Sequence, residues 1–262
     1  MRQVTVQRYV TPLREGGSLP ALVEGDDLGL YVLKFRGAGQ GQRALVAEII
    51  GGGIARALGL QVPEIVLADL DPGLAATEPD PEIQDLLRAS GGLNAALDYL
   101  PGAVNFDPGA DRVEPALASR VVWFDAFASN VDRSARNTNL LTWHDRLWLI
   151  DHGAALYFHH GWLGEAAVAD KPFPLIKDHV LLPAADGIEA AHRESMARLS
   201  PELFARILAD IPDDWLVVEG SDAPAFATPE SHRAAYQRYL ERRLDGAARI
   251  VDTVKEVRDA LA

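Results

Sequence analysis

Hydrophobic and polar positions divide the chain into an N-terminal stretch of short alternating runs and a C-terminal stretch of mostly helical period. Residues 4–10 alternate as a strand does. Residues 21–24 and 28–35 read as the two strands of a hairpin turning at Gly25-Asp26-Asp27, with Lys34 near the end of the second strand. Residues 13–19 form a loop around Gly16-Gly17-Ser18, and Gly37-Ala38-Gly39-Gln40-Gly41 is a flexible connector. Over residues 42–58 apolar positions recur at helical spacing, with Gly59 at the C-cap. The triplet Gly51-Gly52-Gly53 lies inside that helix. Each glycine costs roughly 1 kcal/mol there, so close packing of another backbone is expected to compensate. Pro63 opens a strand over 65–70. A loop rich in Pro and acids covers 71–80, a short helix 81–89, and a strand runs over 93–100 to Pro101-Gly102.

Beyond that point residues 115–129 form a strong helix with Pro115 in its first turn. Residues 140–143 and 146–150 form a hairpin around His144-Asp145. Ser200-Pro201-Glu202 and Thr228-Pro229-Glu230 are helix starts with a capping residue before Pro. No internal repeat is visible. The expected fold is α+β in two lobes: a β-rich N-terminal lobe over 1–100 and a mainly helical lobe over 101–262, hinged at Asp98-Tyr99-Leu100.

The bulk composition narrows the function. The chain has 262 residues and is 48% hydrophobic, enough for a sizeable core. Its 38 acids against 25 bases give a net charge of −13. Such a surface repels nucleic-acid backbones and anionic membranes. There is no cysteine, which excludes disulfides, thiolate zinc sites and thiol nucleophiles and fits a reducing compartment. No apolar run reaches transmembrane length, and the N-terminus lacks a signal peptide's apolar core. A cytoplasmic protein is expected.

The chemistry concentrates in Asn130-Val131-Asp132-Arg133-Ser134-Ala135-Arg136-Asn137 and in Ile150-Asp151-His152-Gly153. Phosphoryl transfer needs one carboxylate beside the attacking group, and an amide oxygen and a second carboxylate on Mg2+. Asp132 follows a helix, Asn137 lies five residues on, and Asp151 returns after a short hairpin. This order makes Asp132 the acceptor of the nucleophile's proton and Asn137 and Asp151 the metal ligands. Upstream, Lys34 on a strand and Glu48 on the following helix can form an ion pair that aims the lysine at ATP phosphates. The Gly16-Gly17-Ser18 backbone can cover those phosphates, and backbone groups at Asp98, Tyr99 and Leu100 can bond the adenine. Each piece alone is a weak signal. The order of glycine loop, strand Lys, helix Glu, hinge, Asp-x4-Asn and Asp-x-Gly is specific.

At these residues the chain resembles the HipA-like kinases, relatives of protein and phosphatidylinositol kinases. Where protein kinases carry a His two residues before the catalytic Asp, this chain has Asn130, as the HipA pattern does. Glu48 leading into Leu58-Gly59-Leu60-Gln61-Val62-Pro63 is similar to the same family. Val122-Trp123-Phe124-Asp125-Ala126 and Ile150-Asp151-His152-Gly153 resemble its short, stand-alone branch. Longer relatives carry an antitoxin partner and an extra N-terminal subdomain; this chain has no room for that subdomain, so a toxin role is not carried over. The resemblance spans residues 13–156. It implies a two-lobed protein-kinase-like fold, Asp132 as catalytic base, Asn137 and Asp151 as metal ligands, and Lys34 as phosphate contact. By analogy it implies a Ser or Thr hydroxyl of a protein as acceptor.

Other residues admit more than one reading. His152 can touch phosphate, orient Asp151 or pack against the helical part. His159-His160 resembles half of a metal site. Arg133 and Arg136 can bind phosphate or a phosphorylated loop, or pair with surface acids. The run from Lys171 to His179 is either a substrate-facing segment or a loop over the core. The tryptophans, Trp123, Trp143 and Trp148 among them, are expected in the core. Three rivals to a protein kinase stand: a small-molecule kinase, a nucleotide-binding pseudokinase serving as an interaction module, and a carboxylate-based metal hydrolase.

Overall fold

The computed structural model describes residues 1–13, 19–39, 41–162, 168–216 and 226–261. Gln3–Pro12 (β1), Ala21–Gly25 (β2), Leu30–Lys34 (β3), Ile65–Leu70 (β4) and Gly92–Asp98 (β5) close into a barrel in the order β1-β2-β3-β5-β4. Four pairings are antiparallel. The fifth, β1 with β4, is parallel and places Val4 opposite Ala68. Register shifts in β1 between Val6 and Arg8 and between Tyr9 and Thr11 bend the strand, which closure of so small a barrel requires. Inside, Val4, Val6, Val23, Leu33 and Val66 interdigitate with the small residues Ala21, Ala68 and Ala96.

The segment 71–80, expected as loop, contains a 3-10 turn at Pro72–Thr77, capped by Asp71, which accepts from Gly73 N at 2.8 Å. Gln42–Ala57 (α1) and Pro81–Ala89 (α2) complete the N-terminal part. The C-terminal part holds Pro115–Ala128 (α3), Ile188–Met196 (α4), Pro201–Ala209 (α5), Pro229–Asp245 (α6) and Ala248–Leu261 (α7). Val104–Asn105 (β6), Leu140–Trp143 (β7) and Arg146–Leu149 (β8) form a small sheet beneath the barrel. Its hairpin turns through His144 (φ 47°) and Asp145 (φ 57°), the left-handed pair that two-residue hairpins demand. The anticipated caps form: Ser200 Oγ accepts from Leu203 N at 3.3 Å, and Thr228 and Ser231 cap each other reciprocally. No helix among the described residues is long and apolar enough to cross a membrane.

α1 and α3 are apolar nearly all round because each is enclosed. α1 lies between β5 on one side and α3 and α5 on the other. The glycine triplet makes this possible, but against side chains rather than a backbone. A Cβ on Gly51 would stand 2.8 Å from His152 Cβ, one on Gly52 2.2 Å from Ile65 Cδ1, and one on Gly53 3.0 Å from Ile207. Further bonds tie the two parts together. Trp215 Nε1 donates to Leu93 O at 3.2 Å, Arg36 pairs with Asp214 at 2.7 Å, and the N-terminal amine pairs with Asp210 at 2.5 Å. Trp123 and Trp215 are fully buried. Trp143 and Trp148 are not core residues: they are half-buried on the β7–β8 hairpin, ring against ring at 5.4 Å. Their indoles bond the backbone oxygens of Pro101 and Trp143.

Replacing Gly51 by Ala tests the packing of α1. Helix propensity improves by about 1 kcal/mol, but overpacking against an immobile Cβ costs about 1–3 kcal/mol. The expected result is a lower urea midpoint with an unchanged slope; a raised midpoint would show that the contact yields.

Candidate active site

Alternation along β3 sends Tyr31 and Leu33 into the barrel and leaves Val32 and Lys34 on its outer face. There both line a cleft of about 990 Å³ between the lobes. Lys34 Nζ sits 2.7 Å from Glu48 Oε2 and 2.5 Å from Asp151 Oδ1. Glu48, on α1, is fully buried. Its carboxylate also accepts from His152 N at 2.9 Å and lies 3.2 Å from His152 Nδ1. Burial alone would raise the Glu48 pKa. The Lys34 ammonium and the His152 contacts outweigh burial and hold the carboxyl down at about 2. Burial likewise works against the Lys34 charge, but the two carboxylates leave its pKa raised. His152 therefore neither touches the cleft nor orients Asp151; it fixes Glu48, with its ring edge-on to Phe124 at 5.7 Å.

The loop after α3 is organised by a second buried carboxylate. The helix ends in left-handed Ser129 (φ 53°). Asn130 Nδ2 donates to Asp125 Oδ1 at 2.8 Å, and Asn130 Oδ1 accepts from Asp132 N at 3.1 Å. That double role is a physical reason for an Asn two residues before Asp132. Arg133 is buried, with Nε 2.5 Å from Asp125 Oδ2 and Nη1 2.5 Å from Asn139 O. It serves neither phosphate nor a surface acid. His179 Nε2 reaches Asp125 Oδ2 at 2.9 Å, while its Nδ1 accepts from Leu181 N at 3.0 Å. The ring is thus neutral with its proton on Nε2, in keeping with a pKa lowered by burial. Burial would raise the Asp125 carboxyl; the Arg133 guanidinium and the His179 hydrogen bond hold it well below the usual range instead.

Asp132 itself is half-buried and is not among the residues that line the cleft, to which its bond with Asn137 connects it. Its Oδ2 accepts from Asn137 Nδ2 at 2.9 Å and from Asn139 Nδ2 at 3.2 Å. Its Oδ1 makes no bond among the described residues. Asn137 and Asp151 line the cleft. The bond to Asp132 uses the Asn137 amide nitrogen, which leaves Oδ1 open. The bond to Lys34 uses Asp151 Oδ1, which leaves Oδ2 open. One amide and one carboxylate oxygen are donors that suit Mg2+, which takes few protein ligands beside phosphate and water. Asp151 adopts φ 54°, an uncommon backbone state for a non-glycine residue and one that recurs at functional sites.

Asp98, Tyr99 and Leu100 also line the cleft. The Asp98 and Tyr99 N–H groups are already committed, to Glu64 O at 2.8 Å and Leu30 O at 2.9 Å. Of the three hinge donors only the Leu100 N–H is uncommitted among the described residues. Gly16, Gly17 and Ser18 lie outside the described residues. The pair His159-His160 forms no metal site: His159 is buried on the Tyr236 hydroxyl at 2.9 Å, and the described residues contain no group of three or more His, Asp or Glu that could hold an ion. Val32, Leu97, Phe106, Leu140 and Ile150 supply apolar walls suited to a flat base. Sequence reasoning missed Asp125 and Asn139. A lone acid within the apolar run of α3 was a signal for the first; the second had none.

Two outcomes check the paired carboxylates. The folded pKa of Glu48, about 2, lies below its ordinary 4.5. Its contribution to stability is therefore complete above the ordinary value and is lost as pH falls toward the folded one. Urea midpoints of the wild type and Glu48→Gln should converge through that window; a gap that persists at the acid end would refute an ionised pair. Arg133→Met strands Asp125 and should cost about 3–5 kcal/mol by the same measurement. A loss below about 1 kcal/mol would show that the network is dispensable.

The model of the HipA-like kinase family matches residues 6–243. No curated protein sequence matches the chain. Among solved structures, the Helicobacter pylori proinflammatory kinase CtkA superposes with a TM-score of 0.55 at 13% identity, covering 97% of this chain and 98% of that one. A Golgi casein kinase with Mn/ADP bound aligns with a TM-score of 0.49 at 11% identity, over 97% of this chain and 73% of that one. The fold is thus that of a two-lobed kinase, and the chain belongs to the HipA-like kinase family.

Proposed function

We propose that the protein is an ATP- and Mg2+-dependent kinase that transfers the γ-phosphoryl group to a Ser or Thr hydroxyl of a protein. The observation that carries this reading is the placement of Lys34, Asn137 and Asp151 around one cleft, with Asp132 bonded to Asn137. Residues 1–100 are the nucleotide-binding lobe and residues 101–262 the catalytic lobe. With ATP as donor, the cytoplasm is the setting we assign.

The adenine lies between the apolar walls, and the Leu100 N–H is its hinge donor. Lys34, held by Glu48, offsets the charge of the phosphates. When bound through Asn137 Oδ1 and Asp151 Oδ2, Mg2+ supplies further charge neutralisation to the phosphate oxygens. The acceptor hydroxyl donates to Asp132 Oδ1. As its oxygen bonds to the γ-phosphorus, the bond from that phosphorus to the bridging oxygen of ADP breaks, and the proton passes to Asp132. The Asn137 and Asn139 amides orient the carboxylate without competing for Oδ1.

The test uses γ-labelled ATP with Mg2+ and a protein lysate. Asp132→Asn should lower transfer about 10²–10⁴-fold while thermal stabilisation by ATP persists. Label found only on small molecules would reassign the acceptor. Unchanged transfer in the variant, or no stabilisation of the wild type by ATP, would end the kinase reading.

A further inference from the structure

The chain is strongly acidic, with 38 acids against 25 bases. Of its four lysines, Lys34 and Lys255 pair with carboxylates. The other two, Lys171 and Lys177, fall in one exposed segment and pair with none among the described residues. That segment runs along the catalytic loop. Ser134 and His179 form an antiparallel bridge, and Val180 N donates to Arg133 O at 2.9 Å. Antiparallel passage places Arg136 and Lys177 at the same end of the bridge, each two residues from it. Both side chains are exposed, and neither makes an ion pair among the described residues. Asp178, beside Lys177, pairs with neither.

Lys177 lies in the 3-10 turn Pro174–Asp178 and Arg136 in the turn that Ser134 N closes on Asn137 O, so two exposed cations with no acidic partner among the described residues flank one bridge in a chain of net charge −13. The arrangement suits an anion from outside. Arg136 adjoins Asn137, which bonds Asp132, so that anion sits close to the reacting hydroxyl. Arg136 lines the nucleotide cleft, but Lys177 stands outside it. A site spanning both therefore reaches away from the nucleotide toward the acceptor. Leu175, 50% exposed, and Val131, 39% exposed, add apolar contact on either side of the loop.

We propose that Arg136 and Lys177 form a cationic acceptor rim that selects a polypeptide with acidic side chains flanking the phosphorylated Ser or Thr. This rests on the kinase reading above, and the transfer step is the one given there. The probes are three synthetic peptides with one Ser in a Gly-Ala background, flanked by Glu, by Gln or by Lys. They are assayed at low salt with the wild type, Lys177→Glu and Arg136→Glu. The Glu peptide should exceed the Gln peptide in kcat/KM on the order of tenfold. That preference should shrink with added salt and disappear or invert in both variants, with the KM for ATP unchanged in Lys177→Glu. Equal use of Glu and Gln peptides, or a variant effect on the KM for ATP alone, would overturn the rim. Transfer to none of the peptides would overturn it as well. Asp132-dependent ATP turnover in the same samples shows whether the kinase reading survives that outcome.

Discussion

An ionised carboxylate that leaves water must meet cations or N–H donors where it arrives, because an unpaired buried charge is strongly destabilising. Glu48 is such a group, and the cleft depends on how it is satisfied. Its partners come from the end of β3, through Lys34, and from the backbone and ring of His152 just after β8. Meeting the needs of one side chain thus brings a strand of the barrel, the α1 helix and the Asp151 turn to a common point. Lys34 stands between two carboxylates and lines the cleft.

Asp125 does the same on the opposite wall. It gathers Asn130, Arg133 and His179, and through Arg133 and Asn139 it holds the main chain on both sides of Asp132. The segment carrying Lys177 is tied to this hub by His179 and by the bond from Val180 to Arg133. The Asp132 loop and the Lys177 segment therefore share one buried anchor, and substitutions at Asp125 reach both.

Much of this was legible in the residue pattern. Strand Lys34 and helix Glu48 lie at a spacing that suits an ion pair, and they form one. The His144-Asp145 hairpin and the Ser200 and Thr228 caps follow from local turn and capping chemistry, which a short window contains. The parallel closure of the barrel does not, since β1 and β4 are far apart in sequence and neither shows what it will pair with. The partners of Asp125 come from two places in the chain, the loop that follows its helix and the distant His179, so a lone acid in an apolar helix marks a hub without naming its spokes. His152 packs on Phe124 of the helical part, one of the readings its sequence offered, whereas Arg133 was read by its neighbours in sequence. Their positions are decided by Glu48 and Asp125, which only the tertiary structure puts beside them. Trp143 and Trp148 were assigned to the core by residue type, but a two-stranded hairpin over so small a sheet cannot bury them.

The three consecutive glycines of α1 meet three different neighbours, His152, Ile65 and Ile207. Successive helical residues differ by about 100° around the axis, so the triplet covers most of the circumference with shallow notches, each matched to one projection. Turning the helix by a single residue would present Ile50 or Ile54 to a notch cut for no side chain. α1 is therefore keyed to one angular setting, and the Glu48 it carries has a single place to be. A kinase that switches by swinging this helix needs a second seat for it; the packing here is cut for a single seat.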